Sequence, residues 1–311
     1  MEILIDYLCF TSKIHDVGGL KELLGLNNID FLVGKAFNGW SCCDYSNGIK
    51  ILYGTRDDIA VNMSGSGCRF LESCNDNHFD WLGLFDYLKS EGDCMNISRL
   101  DLACDEKEGI LDMKKMVHST EHRKYISRAR SKRWIAGDEE CIIFGATTSD
   151  TRLRIYNKAL ERGVEGHWMR SEFQFRDEAA DSAILNLIKF RNIGRTYGGI
   201  MNNYLRFTTK NPELCAEHYE TVKTTQWWQE FVGTSEKIKN IRVGGLEYNY
   251  MNLEDFITKQ CASSLKTYIE ANHGDISGLM EIVDKAKINK KQKDLLSAIE
   301  LEYDSRELRV C

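Results

Sequence analysis

Apolar and polar residues alternate with a period of two in several stretches of this chain. That pattern marks strands with one buried face and one open face. Residues 2–10 alternate in this way, and three later segments do so more clearly. In 97–105, Arg99, Asp101, Ala103 and Asp105 share one face, with Leu100, Leu102 and Cys104 on the other. In 151–158, Arg152, Arg154, Tyr156 and Lys158 oppose Leu153 and Ile155. In 168–176, Arg170, Glu172, Gln174 and Arg176 oppose Met169, Phe173 and Phe175. Residues 31–69 are rich in Gly, Asn, Tyr and β-branched residues and read as further antiparallel strands and turns. Residues 141–145 read as a strand joined to 151–157 by a turn around Ser149 and Asp150. Phe79, Leu82, Phe85 and Leu88 have the apolar period of a short helix over 79–89. Helical composition also marks 15–25, 111–119 and 178–191.

After about residue 210 the character changes. Segments 226–232, 253–271, 275–287 and 289–302 all read as helices separated by polar breaks. The expected architecture is α+β. An antiparallel-rich sheet region fills 1–240, divisible into 1–92 and 93–240, and a helical C-terminal domain follows over 241–311. A length of 311 residues suits two domains. No internal repeat is visible. The single proline, Pro212, marks no linker.

Composition narrows the partners. Hydrophobic residues at 42% allow a sizeable core. No run of about 18 apolar residues exists, so a membrane span is not expected. The formal charge of −6 would repel nucleic acid as a whole, so any DNA contact must be local. Residues 122–134 meet that need with six cations and no acid: Arg123, Lys124, Arg128, Arg130, Lys132 and Arg133. The interleaved Tyr125 and Trp134 are expected to stack on unpaired bases. Lys285, Lys287, Lys290, Lys291 and Lys293 form a weaker patch near the C-terminus. The eleven cysteines contain no Cys-x-x-Cys spacing and read as reduced cytosolic thiols. No His-x-His or His-Glu-x-x-His pair and no Walker A loop occurs. Gly65-Ser66-Gly67 reads as a turn needing positive φ.

Charges on half-exposed strands ordinarily face water, and tyrosine is common in strands. Three such strands close together in the chain still bring carboxylates, cations and a tyrosine to one face. Asp and Glu oxygens would hold Mg²⁺ or Mn²⁺, and the cation would polarise a phosphate. Asp101 and Glu172 are the first candidates, with the third ligand either Asp105 or a residue in the N-terminal part. A tyrosine phenolate would attack phosphorus and hold the cut end as an ester. Arg154 and Lys158, on the face of Tyr156, would favour its ionised form.

Four segments then carry a resemblance: Met63-Ser-Gly-Ser-Gly-Cys-Arg69, Arg99-Leu-Asp-Leu-Ala-Cys-Asp105, Ser149-Asp-Thr-Arg-Leu-Arg-Ile-Tyr-Asn-Lys158 and His167-Trp-Met-Arg-Ser-Glu-Phe-Gln-Phe-Arg176. In this order they resemble the Rep_trans family of rolling-circle plasmid and phage replication initiators and conjugative-element relaxases. The resemblance implies origin nicking and rejoining with a divalent metal, in a fold similar in plan to HUH-type endonucleases with carboxylates replacing the histidines. It matches Tyr156 to the nucleophile, and Asp101 and Glu172 to the metal-binding acids. It also implies origin DNA as partner, duplex and single-stranded, recruitment of a host helicase, action as a homodimer and a cytoplasmic location. Two other readings stand beside it. One is a hydrolytic nuclease in which water attacks, and the other is a non-enzymatic origin-binding regulator. Tyr125, Tyr197 and Tyr204 are the alternate nucleophiles.

Overall fold

A computed structural model describes residues 1–75, 79–137, 140–215, 221–236, 257–288 and 296. The chain divides into two compact units, Met1–Gly245 and Leu246–Cys311.

The first unit opens with β1 (Glu2–Ser12), α1 (Val17–Leu23), β2 (Leu32–Val33), β3 (Cys42–Ser46), β4 (Ile49–Tyr53), β5 (Ile59–Met63), α2 (Gly65–Cys74) and α3 (Trp81–Ser90). It continues with β6 (Met95–Glu106), α4 (Met113–Glu121), β7 (Tyr125–Ser127), β8 (Lys132–Ile135), β9 (Cys141–Phe144), β10 (Thr151–Asn157), α5 (Lys158–Arg162) and β11 (Met169–Arg176). It closes with α6 (Glu178–Phe190), α7 (Ile193–Tyr204), β12 (Leu205–Phe207) and α8 (Gln226–Ser235). Ten strands form one antiparallel sheet in the order β2-β3-β4-β5-β1-β6-β11-β10-β9-β8. β7 and β12 pair separately.

That order is symmetric about the β1–β6 pair. Strand, helix, four strands and helix (β1, α1, β2–β5, α2) recur as β6, α4, β8–β11, α6, and each strand takes the matching place on its own side. The halves therefore repeat in connectivity, although no sequence repeat announces it.

One face of the sheet is covered. Ile3, Ile5, Leu8 and Phe10 of β1, Leu100, Leu102 and Cys104 of β6, and Phe173 and Phe175 of β11 join one core with Leu71, Phe85, Met116, Ile184, Tyr197 and Trp228 from the helices. Burying this many large side chains, each contributing roughly 1.5–3 kcal/mol, holds the helices to that face. The other face carries the polar half of β6, β10 and β11, and over β3–β5 a small apolar cluster of Trp40, Cys43, Leu52 and Ala60.

Two details correct the expectations. Gly65 and Gly67 do not form a turn. They begin α2, whose N-cap is Ser64. Gly67 is required by close approach, because a Cβ there would stand 2.4 Å from the carbonyl oxygen of Gly48. The positive-φ turn is Asn47-Gly48 between β3 and β4, at φ 44° and 89°, as the two-residue hairpin favours. The ten described cysteines carry free thiols.

In the second unit, α9 (Ala262–Ala271) and α10 (Ser277–Lys285) are described. Lys285 and Lys287 belong to these residues. Lys290, Lys291, Lys293 and nearly all of the expected helix over 289–302 lie outside the described residues. No helix among the described residues is long and apolar enough to cross a membrane.

Candidate active site

Strand register places the ionisable residues in three rows across the open face. The first runs Ile135, Cys141, Tyr156, Arg170, Asp105, from β8 through β9, β10 and β11 to β6. The second runs Arg133, Ile143, Arg154, Glu172, Ala103 over the same strands. The third runs Arg152, Gln174, Asp101. Cations thus gather on β8 and β10, carboxylates on β6 and β11, and Tyr156 stands between them.

Tyr156 is 6% exposed and its hydroxyl donates to Glu172 Oε2 at 3.0 Å. The Arg154 guanidinium lies 4.9 Å from its ring centre and the Lys158 ammonium 5.5 Å. Arg154 also pairs with Glu172 Oε1 at 3.5 Å. Burial first, and then the Glu172 charge, raise the Tyr156 hydroxyl well above the ordinary tyrosine range. The group is therefore a neutral phenol at pH 7 that hands its proton toward Glu172. The strand ends one residue later, where the Asn157 side chain accepts from the backbone N–H of Leu160 and starts α5. Lys158 is therefore the first residue of a helix, not a strand residue, and it ion-pairs with Glu161 one turn on. Burial lowers its ammonium pKa.

The acids divide. Asp101 receives Arg99 Nε at 2.9 Å and Nη2 at 2.6 Å. Its carboxyl is nevertheless pushed up to about 6, by burial and by the facing Glu172 and Asp6 charges against the pull of Arg99. Asp105 takes both Arg170 Nε and Nη2, at 2.6 and 2.8 Å. Burial alone would raise it, but Arg170 outweighs burial and holds it below the usual carboxylate range. Arg170 also donates to Asp6 Oδ2 at 3.0 Å. Asp6 went unnoticed in the sequence, although it follows the apolar Ile3 and Ile5. It is the extra residue where the β1–β6 register slips between Ile5 and Tyr7, and such a bulge re-aims one side chain.

Among the described residues no group of three or more His, Cys, Asp or Glu is close enough to hold a metal. The donor chemistry fits a divalent ion all the same. Asp101 and Glu172 offer hard oxygens on neighbouring strands, and their like charges raise one another's cost. Mg²⁺ commonly uses one or two carboxylates with water and phosphate filling the rest. Asp105 is held by Arg170 as Asp101 is held by Arg99, each through two guanidinium nitrogens.

The expected DNA cluster is dispersed. Arg123 pairs with Glu213 at 2.7 Å. Lys132 donates to the Thr120 carbonyl at 3.1 Å and caps the Tyr125 ring at 4.5 Å. Lys124 is half-buried, while Arg128, Arg130 and Arg133 are exposed. Tyr125 packs edge-on against Phe144 at 5.4 Å, and Trp134 packs on the same core. Both rings are half-buried against the core and keep part of their surface exposed. Tyr197 and Tyr204 stand on α7 and point into the covered face of the sheet, bonded to Ser171 and to the Phe144 and Thr151 carbonyls. Only Tyr156, of the four tyrosines considered, lies on the open face. His118, in the last turn of α4, and His122, its C-cap, lie with ring centres 4.0 Å apart.

The family model for Rep_trans, replication initiation factor, matches residues 95–283. The chain belongs to the Rep_trans family. A rolling circle replication initiator protein from Geobacillus stearothermophilus shares the fold of this Rep_trans protein with a TM-score of 0.69 and 24% identity, over 78% of this chain and 98% of that one. The chain is also 27% identical, over 94% of its length and 88% of the relative's, to "Putative DNA relaxase NicK" of Bacillus subtilis (strain 168). The family match begins at Met95, the first residue of β6, so it takes up the half of the sheet that carries Tyr156.

Proposed function

We propose that this Rep_trans protein nicks one strand of origin DNA with Tyr156 as the nucleophile. The hydrogen bond from the buried Tyr156 hydroxyl to Glu172 carries the reading. In the forward step Tyr156 Oη bonds to the scissile phosphorus as its proton passes to Glu172. The bond from phosphorus to the 3′ oxygen breaks, and that oxygen leaves as a hydroxyl after taking up a proton. The product is a 5′-phosphotyrosine ester, and attack by a 3′ hydroxyl on it reverses the step. Arg154, over the ring and against Glu172, orients both partners. Asp101 and Glu172 would hold Mg²⁺ or Mn²⁺, which supplies charge neutralisation at the phosphate oxygens. Start of rolling-circle replication or transfer of a mobile element follows from such a nick. Helicase recruitment and a homodimer are carried over from the family resemblance alone.

The test is incubation of the protein with supercoiled origin DNA and Mg²⁺ or Mn²⁺, followed by denaturation. A protein–DNA adduct that is lost in Tyr156→Phe, by about a thousandfold or more, is expected. Nicking without an adduct would favour water as the attacking group, and binding without nicking would favour a regulator. An adduct that persists in Tyr156→Phe would rule out this tyrosine.

A further inference from the structure

Beside Tyr156, on the side away from the carboxylates, the open face sinks into a cleft of about 210 Å³. Arg133, Arg152 and Arg154 line it, with Ile135 and Ile143 among the apolar residues at its wall and Tyr156 at its edge. This is smaller than the roughly 300–1,000 Å³ that encloses a drug-sized ligand, so it admits a single small group. Its three guanidinium groups outnumber the two carboxylates of the lining, Glu140 and Glu161. Arg154 shares Glu172 with Tyr156, and no ion pair among the described residues involves Arg152 or Arg133. The Arg152 Nε is buried with no hydrogen-bond partner. Burial and the neighbouring Arg154 and Arg133 charges both lower its pKa. A buried N–H without an acceptor is costly, roughly 1–3 kcal/mol and more for a charged group. Three guanidinium groups crowded on one wall add repulsion to that. Glu140 and Glu161 reach the cleft as well, but Glu161 is engaged by Lys158.

We infer that this cleft is a second phosphate subsite, which grips the phosphodiester next to the scissile one and rests its nucleoside on Ile135 and Ile143. The inference rests on Tyr156 marking the cut. It adds that the single strand crosses β10 with the scissile phosphate over the β10–β11 side and the neighbouring phosphate over β8–β10. Guanidinium groups suit this task because they bond phosphate oxygens two at a time. Arg152 is the central group, since a phosphate oxygen supplies the acceptor its Nε lacks. The strand would be read here by backbone and apolar contact, so the subsite tolerates any base.

The test uses the full chain in chelator, where no turnover occurs, and a fluorescent oligothymidylate of eight residues as probe. Arg152→Gln is expected to weaken binding about tenfold, the size of a lost charged hydrogen bond. The slope of log K against log salt should fall by about 0.7, one phosphate on a single strand. Arg152→Lys should restore the slope and only part of the affinity. Melting temperature supplies a readout that a merely structural arginine would move the other way: Arg152→Gln should hold or raise it, because a buried Nε–H without an acceptor and one of three crowded cations are removed. Arg133→Gln, at an exposed position, should reduce the slope similarly and guards against a misfolded Arg152 variant. Oligothymidylate affinity within twofold of wild type and an unchanged slope in both variants would overturn the subsite. Failure of the nucleophile reading is distinguishable, because the adduct would then be missing or persist in Tyr156→Phe whatever the binding slopes show.

Discussion

The two halves of the sheet share a connectivity and differ in what their open faces carry. In the first half the segment from Gly34 to Ser41 crosses the open face. Trp40 packs there on Cys43, Leu52 and Ala60, with Phe37 and Tyr45 beside it, and Arg56 sits 4.8 Å from the Trp40 ring. In the second half no such strap lies on that face among the described residues, and the same strand places hold Tyr156, Arg154, Glu172 and Asp101. The covered faces match in kind, since both contribute alternating apolar residues to one core. Connectivity and core are thus set together by the covered face. The other face is free to hold either a small apolar cluster or a group of ionisable residues around a tyrosine.

Removing Arg170 should produce the largest loss of stability. Arg170→Met leaves the buried Asp105 and the half-buried Asp6 without their cation, which typically costs about 3–5 kcal/mol. Urea denaturation should show the loss at pH 7. It should shrink at low pH, where the carboxylates are protonated. An unchanged midpoint would mean that the β1 half and the β11 half are not joined through this residue. In the strapped half, Trp40→Ala should cost about 2–3 kcal/mol, below the cost in a full core because the cluster is small and near the surface. Adduct formation by the surviving folded protein should be unaltered, and a fall in the adduct rate at equal folded fraction would show that the strap serves the site.

Asp101 sharpens the contrast by pH. Its carboxyl titrates near 6 in the folded protein and near 4 when unfolded. Between those values the native state holds a proton that the unfolded chain has released, so stability falls as pH rises through the window. Asp101→Asn should therefore be more stable than the parent above pH 6, by roughly 1–3 kcal/mol, and equal to it below pH 4. Melting curves at pH 4 and pH 8 check this. A variant less stable at pH 8 would mean that the Arg99 pair outweighs burial. The smallest effect is expected at Asn157, which caps α5. Asn157→Ala should lower stability by about 1 kcal/mol, seen as a modest drop in melting temperature.

The strands that build the site were legible because each is half-exposed, and a period of two survives only in such strands. β6, β10 and β11 were read within a residue or two of their observed bounds, and their alternation was read correctly except at Lys158, which begins α5 instead of continuing β10. The basic segment was not legible, because β7 and β8 are three and four residues long. That is too short to show which way Tyr125 and Trp134 point. Asp6 was hidden by its bulge, which breaks the parity that alternation relies on. The role of Gly67 was hidden because closeness to Gly48 is a fact of three dimensions. The repeated connectivity escaped for the same kind of reason. It resides in the order of elements, and the two halves no longer share residues.

The bulge at Asp6 sets an order of events during synthesis. The hydrogen bond from Arg170 to Asp6 spans 164 positions of the chain. On a ribosome β1 emerges first, and domains fold from the N-terminal side as units. The aspartate is then in place long before its arginine exists. Arg170 cannot be fully neutralised until β11 has been made and laid beside β6, which must itself lie beside β1. The charge cluster beside Tyr156 is thus completed only when both halves have docked. A truncated or half-folded chain would be left with unmatched charge where the finished protein holds Arg170 between Asp105 and Asp6.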